Sequence, residues 1–255
     1  WAWYGGAVWG PLFFLFASVG AFLLLEKGHP VLAGLAGAVA TAGRPVGVAV
    51  LVGLVFLTVE RRGGWRHLRS VRPADFGVLL SLGGLGSWMT FLWVRFGDPL
   101  AFSKVQAAPG WDQGSGPTTW FKVPLLRSIR ELGARALGGA QTPPGALNTS
   151  TLLVNTSGKV LQGLLVLGGL ALVPFIWKRL GSGYAMFVLT IAVIALVGTK
   201  DFQGTGRYML AAFPCFWALA VLLAPHRARL VAVGVASAGL LLFLTSAFAR
   251  AYYVA

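Results

Sequence analysis

Eleven polar residues stand where chemistry can happen in an otherwise greasy chain: Arg44, Asp98, Lys104, Gln106, Trp111, Asp112, Lys200, Asp201, Gln203, Arg207 and Tyr208. Each sits at or near the mouth of an apolar run, and ionisable residues in such places are functional candidates by default. Their types suit a ligand that carries a phosphate and hydroxyls. Arginine pairs a phosphate bidentately, a carboxylate takes a proton from a hydroxyl, and tryptophan offers an apolar face to a sugar ring. Asp98, Asp112 and Glu131 are three of only seven acids in the chain, so carboxylate chemistry has few other homes. The alternative is structural: Arg44 and Arg207 act as snorkelling interface anchors, and Asp98-Pro99 merely starts a helix.

Other chemistries find no pattern here. The sequence has no nucleotide-binding glycine loop, no metal-ligand cluster and no Ser-His-Asp set, so no metal or cofactor is indicated. The three histidines, His29, His67 and His226, are spread over separate loops, and the single cysteine, Cys215, reads as a small hydrophobe within an apolar run. Asn148-Thr149-Ser150 and Asn155-Thr156-Ser157 match the glycosylation pattern, a weak signal in a stretch rich in Ser, Thr and Asn.

The elements that must position these residues are membrane helices. The chain of 255 residues is 56% hydrophobic and 11% charged, with mean hydropathy +0.75, outside the range of soluble globular proteins. A net charge of +14 would point to nucleic acid in a soluble domain. Here the basic residues lie in short loops between apolar runs, where they set topology instead. No nucleic-acid partner is expected; membrane lipids are.

The expected fold is all-α, a single transmembrane domain over 1–255 of about seven or eight crossings, judged by the roughly 20 apolar residues each crossing needs. Runs over 6–25, 31–60, 76–94, 160–177, 184–198, 208–224 and 230–248 supply them. Gly43-Arg44-Pro45 interrupts the second run, and two short crossings with Arg44 at an interface are favoured over one long helix that buries an arginine at mid-depth. The five arginines within 61–72 mark the cytoplasmic side, with anionic headgroup binding as a secondary role. Counting crossings from there puts 96–157 and 199–207 outside. The insert 96–157 is the long extracytoplasmic loop, and its 118–137 stretch has helical periodicity. Leu125, Leu126, Ile129, Leu132 and Ala136 share one face, with Arg127, Arg130, Glu131 and Arg135 opposite. It is either a solvated helix packed on its neighbours or an interfacial helix anchored by Trp120 and Phe121. The chain opens at Trp1 without a starting Met or a cleavage signal, and reads as part of a longer protein.

Three ordered stretches then resemble a known family: Ala40-Thr41-Ala42-Gly43-Arg44-Pro45-Val46-Gly47; Phe96-Gly97-Asp98-Pro99-Leu100-Ala101-Phe102-Ser103-Lys104-Val105-Gln106 with Trp111 after it; and Gly206-Arg207-Tyr208-Met209-Leu210-Ala211-Ala212-Phe213-Pro214. In this order they resemble the PIG-V-like mannosyltransferases, the bacterial relatives of the second mannosyltransferase of GPI-anchor assembly. The resemblance implies a GT-C membrane fold in a bacterial plasma membrane, an extracytoplasmic site, a polyprenyl-phosphate sugar as donor, and a glycan or glycolipid acceptor. Asp98 and Asp112 are the catalytic candidates by residue type, and the resemblance puts the main catalytic acid upstream of Trp1. Arg207, Tyr208, Arg44 and Lys200 would hold the donor phosphate, and Lys104, Gln106, Trp111, Asp201 and Gln203 the substrate. Where relatives carry a small residue followed by an acid, this chain has Trp9-Gly10-Pro11. The competing classes are a transporter or channel subunit and a non-catalytic assembly protein.

Overall fold

The computed structural model describes residues 2–108, 113, 116–138 and 147–249, and every regular element among them is helical. In chain order they are α1 (Ala2–Glu26), α2 (Pro30–Gly43), α3 (Val48–Arg61), α4 (Leu82–Phe96), α5 (Ala101–Ala107), α6 (Pro117–Trp120), α7 (Val123–Ala136), α8 (Thr149–Leu180), α9 (Ser182–Gly198), α10 (Gly206–Met209), α11 (Phe213–Leu223) and α12 (Arg227–Ala249). Short 3-10 turns cover Pro45–Gly47, Trp65–Ser70 and Pro73–Ser81, the last running straight into α4.

Two helical stretches, Pro73–Phe96 and Thr149–Leu180, are long and apolar enough to cross a membrane. Only 22% of the apolar window of each is buried against protein, whereas the core helix of a soluble domain would be covered. α2 and α3 are shorter, with 14 residues each, while α1 has 25 and α12 has 23.

The run 31–60 is two antiparallel helices, as the Gly43-Arg44-Pro45 interruption foretold. Arg44 adopts extended backbone (φ −158°, ψ 139°), the conformation a following proline enforces. α2 therefore stops, and α3 doubles back so that Arg61 Nη1 donates to the Glu26 carbonyl at 2.7 Å. At the same end Glu60 Oε2 accepts from the Ser182 N–H at 2.7 Å, tying α3 to the α8–α9 turn. The bundle thus has an Arg61 end and, opposite it, an Arg44 end.

The helices approach closely through small residues. α2 lies along Pro73–Ser81 and α4, with a Cβ on Gly34 or Gly84 running into the neighbour's backbone, and Thr41 Oγ1 donating to the Ser81 carbonyl at 2.5 Å. Such packing is what helices use when apolar surface alone gives no drive to associate. The same core extends through α1, α3, α9 and α11, where Phe22 stacks on Tyr184 (4.8 Å between centroids) and packs edge-on to Phe213.

Three boundaries differ from those read off the sequence. α8 begins at Thr149, well before 160, because Asn148 caps it: its side-chain oxygen accepts from the Thr151 N–H at 2.8 Å. Asn155-Thr156-Ser157 therefore lies inside a helix with Thr156 buried, a poor setting for a glycosylation acceptor. The run 208–224 is not one helix: α10 is a single turn, and 210–212 separate it from α11, which starts with Pro214 in its first turn. The amphipathic stretch 118–137 breaks at Lys122, whose φ of 55° ends α6 and starts α7. On α7, Leu125 is buried while Leu126 and Ile129 face outward, and Arg135 does not join a solvated face: it pairs with Glu131 and donates to the Leu147 carbonyl at 2.7 Å.

Candidate functional site

A cavity of about 290 Å³ opens at the Arg44 end. The α2–α3 break supplies Arg44, Pro45 and Val46; α5 supplies Phe102 and Gln106; the end of α9 supplies Ile194, Gly198 and Thr199; and α10 supplies Arg207 and Tyr208. Four of the residues singled out in the sequence, Arg44, Gln106, Arg207 and Tyr208, thus meet around one space, although more than 160 positions separate the first from the last. Phe102 and Gln106 reach it together because they are four apart on α5 and share a face.

Both guanidiniums are fitted into room left by glycines. A Cβ on Gly10 of α1 would lie 3.4 Å from Arg44 Nη2, and one on Gly204 would lie 2.8 Å from Arg207 Nη2. Gly204 also has φ +81°, which a side chain would strain. The Arg44 guanidinium carbon sits 5.9 Å from the centroid of the Tyr208 ring. Arg207 Nε is buried and has no hydrogen-bond partner among the described residues.

The electrostatics ask for an anion. No carboxylate among the described residues lines the cavity, which holds two like charges. Burial lowers the pKa of Arg44, the neighbouring Arg207 charge lowers it further, and Tyr208 acts the other way. A cation depressed by burial and by a like charge is one whose charged form lacks compensation. A phosphate bridging the two guanidiniums would supply it and would satisfy the buried Nε–H.

The segment 199–207 that carries Arg207 is irregular, and it is strapped to α8 and to the α6–α7 junction. Lys159 Nζ pairs with Asp201 Oδ2 at 2.7 Å, and Gln162 Oε1 accepts from the Gly206 N–H at 3.1 Å. These two residues are three apart on α8 and so face the same way. Gly163, next to them, lies under the Phe202 ring, where a Cβ would come within 3.0 Å. From the other side, Lys122 Nζ donates to the Leu196 carbonyl at 2.6 Å and to the Thr199 carbonyl, capping the C-terminal end of α9 as a cation can. Its ammonium also sits 4.7 Å from the Phe202 ring centroid. Burial lowers the pKa of Lys122, and the charge of Asp201 opposes that shift.

Asp98, Lys104, Lys200, Asp201 and Gln203 do not line the cavity. Asp98 Oδ2 pairs with Lys104 Nζ at 2.6 Å and Asp98 Oδ1 accepts from the Leu100 N–H at 2.9 Å, so this carboxylate turns the chain into α5 and holds a lysine that is 75% exposed. Those contacts, the Lys104 ammonium first, hold its pKa below the ordinary carboxylate value. Asp201 is engaged by Lys159 and accepts from the Gln203 N–H at 3.3 Å. The Lys200 N–H donates to Gln113 Oε1 at 3.0 Å. Trp111 and Asp112 fall outside the described residues.

Arg207 lies within α10, a single turn too short to add a helix dipole, so the guanidiniums themselves must hold an anion there. Conversely, Lys122, Lys159, Gln162, Phe102 and Thr199 were not expected at the site. Lys159 and Gln162 carried a usable signal: a cation and an amide three apart at the start of an apolar run.

Among the described residues no group of three His, Cys, Asp or Glu side chains could hold a metal. No family model, curated protein or solved structure matches the chain, and a functional reading therefore rests on this geometry and on the motifs.

Proposed function

We propose that the chain is a polytopic GT-C-type membrane glycosyltransferase, of the PIG-V-like mannosyltransferase kind, that moves a sugar from a polyprenyl-phosphate donor to a glycan or glycolipid acceptor. The observation that carries this reading is the pairing of Arg44 and Arg207 on one cavity, with a buried guanidinium N–H left without a partner. Apolar faces turned outward, such as Phe16, Phe91 and Val94, support placing the bundle in a bilayer with about seven or eight crossings. The exposed Trp120, Phe121, Leu126 and Ile129 support an interfacial position for α6 and α7. The arginine-rich Arg61 end then faces the cytoplasm, and the cavity faces out.

In the reaction, the bond between the anomeric carbon and the donor phosphate breaks and a bond to the acceptor oxygen forms. The acceptor hydroxyl loses its proton to a carboxylate, and the bond pair leaves with the phosphate. Arg44 and Arg207 stabilise the departing phosphate in a partly desolvated site, where fixed charges count most. Asp98 and Asp112 are the carboxylates of the insert; Asp98 stays ionised, as a base must, but one of its oxygens is held by Lys104. With two arginines to neutralise the phosphate, no metal is required.

A second reading, a carrier for the same lipid phosphate, draws support from the irregular buried segment between α9 and α11, since broken helices mark transporter sites. The test is the full chain supplied with a polyprenyl-phosphate sugar. Arg207→Lys keeps the charge but not the bidentate fork, so donor use should weaken while insertion is normal. Wild-type donor kinetics in the Lys variant would sink the phosphate assignment, and donor crossing vesicles without sugar transfer would favour the carrier.

A further inference from the structure

The Arg61 end is cationic in a way the cavity does not explain. Lys27, Arg66, Arg69, Arg72, Lys178 and Arg179 are all exposed there. The acids at the same end are spent on internal contacts. Glu26 Oε1 accepts from the Tyr184 hydroxyl at 2.6 Å, Glu60 accepts from both the N–H and the hydroxyl of Ser182, and Asp75 takes a two-point contact from Arg62 at 2.7 and 2.8 Å. Lysines and arginines outnumber these three carboxylates at that end, so it keeps a positive excess that faces outward.

Two tryptophans stand beside these cations on different elements. Trp65, 56% exposed, precedes Arg66 and packs edge-on against Phe56 of α3 at 5.2 Å. Trp177, 49% exposed, precedes Lys178-Arg179 at the end of α8. Exposed apolar side chains, Phe76, Leu79 and Leu80, begin immediately past Arg72. Cations, then tryptophans, then an uncovered apolar flank is the order met on passing from headgroups into hydrocarbon.

From this we infer that the Arg61 end binds anionic phospholipid headgroups, with Arg66 and Arg69 on one element and Lys178 and Arg179 on another as its contacts. A phosphodiester headgroup supplies the missing negative charge while its acyl chains cover the apolar flank, which a nucleic acid or a free phosphate could not do. The inference rests on the membrane placement and not on sugar transfer.

The experiment is native mass spectrometry of the full chain released from detergent micelles doped with phosphatidylglycerol or phosphatidylcholine. Phosphatidylglycerol should stay bound in preference. Arg66→Gln/Arg69→Gln should lower its apparent affinity about tenfold or more, given what each cation near such a surface contributes. Lys178→Gln/Arg179→Gln gives an independent reading if the first variant misfolds. Equal retention of both lipids, or unchanged retention in both variants, would overturn the inference. So would displacement of the lipid by glycerol 3-phosphate, which would assign the site to free phosphate, or by a short DNA duplex. A chain that stays dispersed without detergent and retains neither lipid would instead overturn the membrane placement.

Discussion

Gln162 on α8 and Gly206 on the far segment are joined by a hydrogen bond of 3.1 Å, and the residue after Gly206 is Arg207. The carboxamide oxygen thereby sets where the guanidinium begins. In Gln162→Leu the half-buried Gly206 N–H would lose its acceptor, a loss of about 1 kcal/mol. Gln162→Glu keeps an acceptor oxygen. Denaturation in mixed micelles should show the Leu variant weakened by that amount and the Glu variant much less; donor affinity should follow the same order. Equal behaviour of the two would mean the bond does not position Arg207.

Lys159 and Asp201 form the most enclosed ion pair in the chain among those described, with Asp201 only 3% exposed. Removing one partner strands the other. Lys159→Met should cost about 3–5 kcal/mol, whereas Lys159→Met/Asp201→Leu should recover most of it, because a buried pair replaced whole by apolar groups is often neutral. Unfolding midpoints of the single and double variants provide the check, and a double variant no better than the single would place the loss elsewhere.

Arg44 and Arg207 should be coupled through a shared ligand. Each Arg→Gln variant should lose about tenfold or more in affinity for a polyprenyl phosphate, on the scale of a hydrogen bond to a charged group. Because they would hold one phosphate, the double-mutant cycle should leave an interaction of roughly 0.5–3 kcal/mol. Strict additivity would mean they serve separate groups.

Asp98 has a folded-state pKa held below its unfolded value by Lys104 and the Leu100 N–H. A depressed carboxylate pKa stabilises the folded form fully above the unfolded pKa, near 3.9, and that stabilisation is lost as pH falls through the lower folded value. The start of α5 should therefore hold through pH 5 to 7 and loosen only in stronger acid. A carbon-13 titration of the Asp98 carboxyl checks this, and a midpoint at or above the ordinary value would contradict the pairing. Asp98→Asn keeps the turn into α5, so transfer falling by less than about tenfold would fit a positioning role, and a larger loss a general base.

The two ends should differ in access. Cysteine placed at Ser70, near the Arg61 end, and at Ser103, on exposed α5, should label differently with an impermeant thiol reagent in intact cells. The native Cys215 is buried and should contribute little. Labelling at Ser70→Cys but not at Ser103→Cys would invert the proposed orientation.

What the sequence could reveal depended on how local each signal was. The α2–α3 break was legible because Gly43-Arg44-Pro45 changes polarity and backbone freedom within three residues, and Arg44 could be paired with Arg207 as a phosphate candidate on residue type alone. The division of 208–224 was harder to see, since its apolar run continues through the break and only Pro214 marks the new start. The early start of α8 was masked because 149–159 is polar enough to pass for loop. That same polarity is why Lys159 and Gln162 can strap 199–207: their partners, Asp201 and Gly206, lie more than forty positions away, and no local pattern announces such a pair.

The brevity of α2 and α3 bears on the bilayer itself. Fourteen residues make a helix of about 21 Å, against roughly 30 Å of hydrocarbon. With the Arg61 end held at one headgroup plane, the Arg44 break would sit several ångströms below the other, at the floor of a dent where lipid must thin or water must enter. A donor phosphate would then sink below its neighbours to meet the arginines, and shorter acyl chains, by lowering the rim of that dent, should ease its descent.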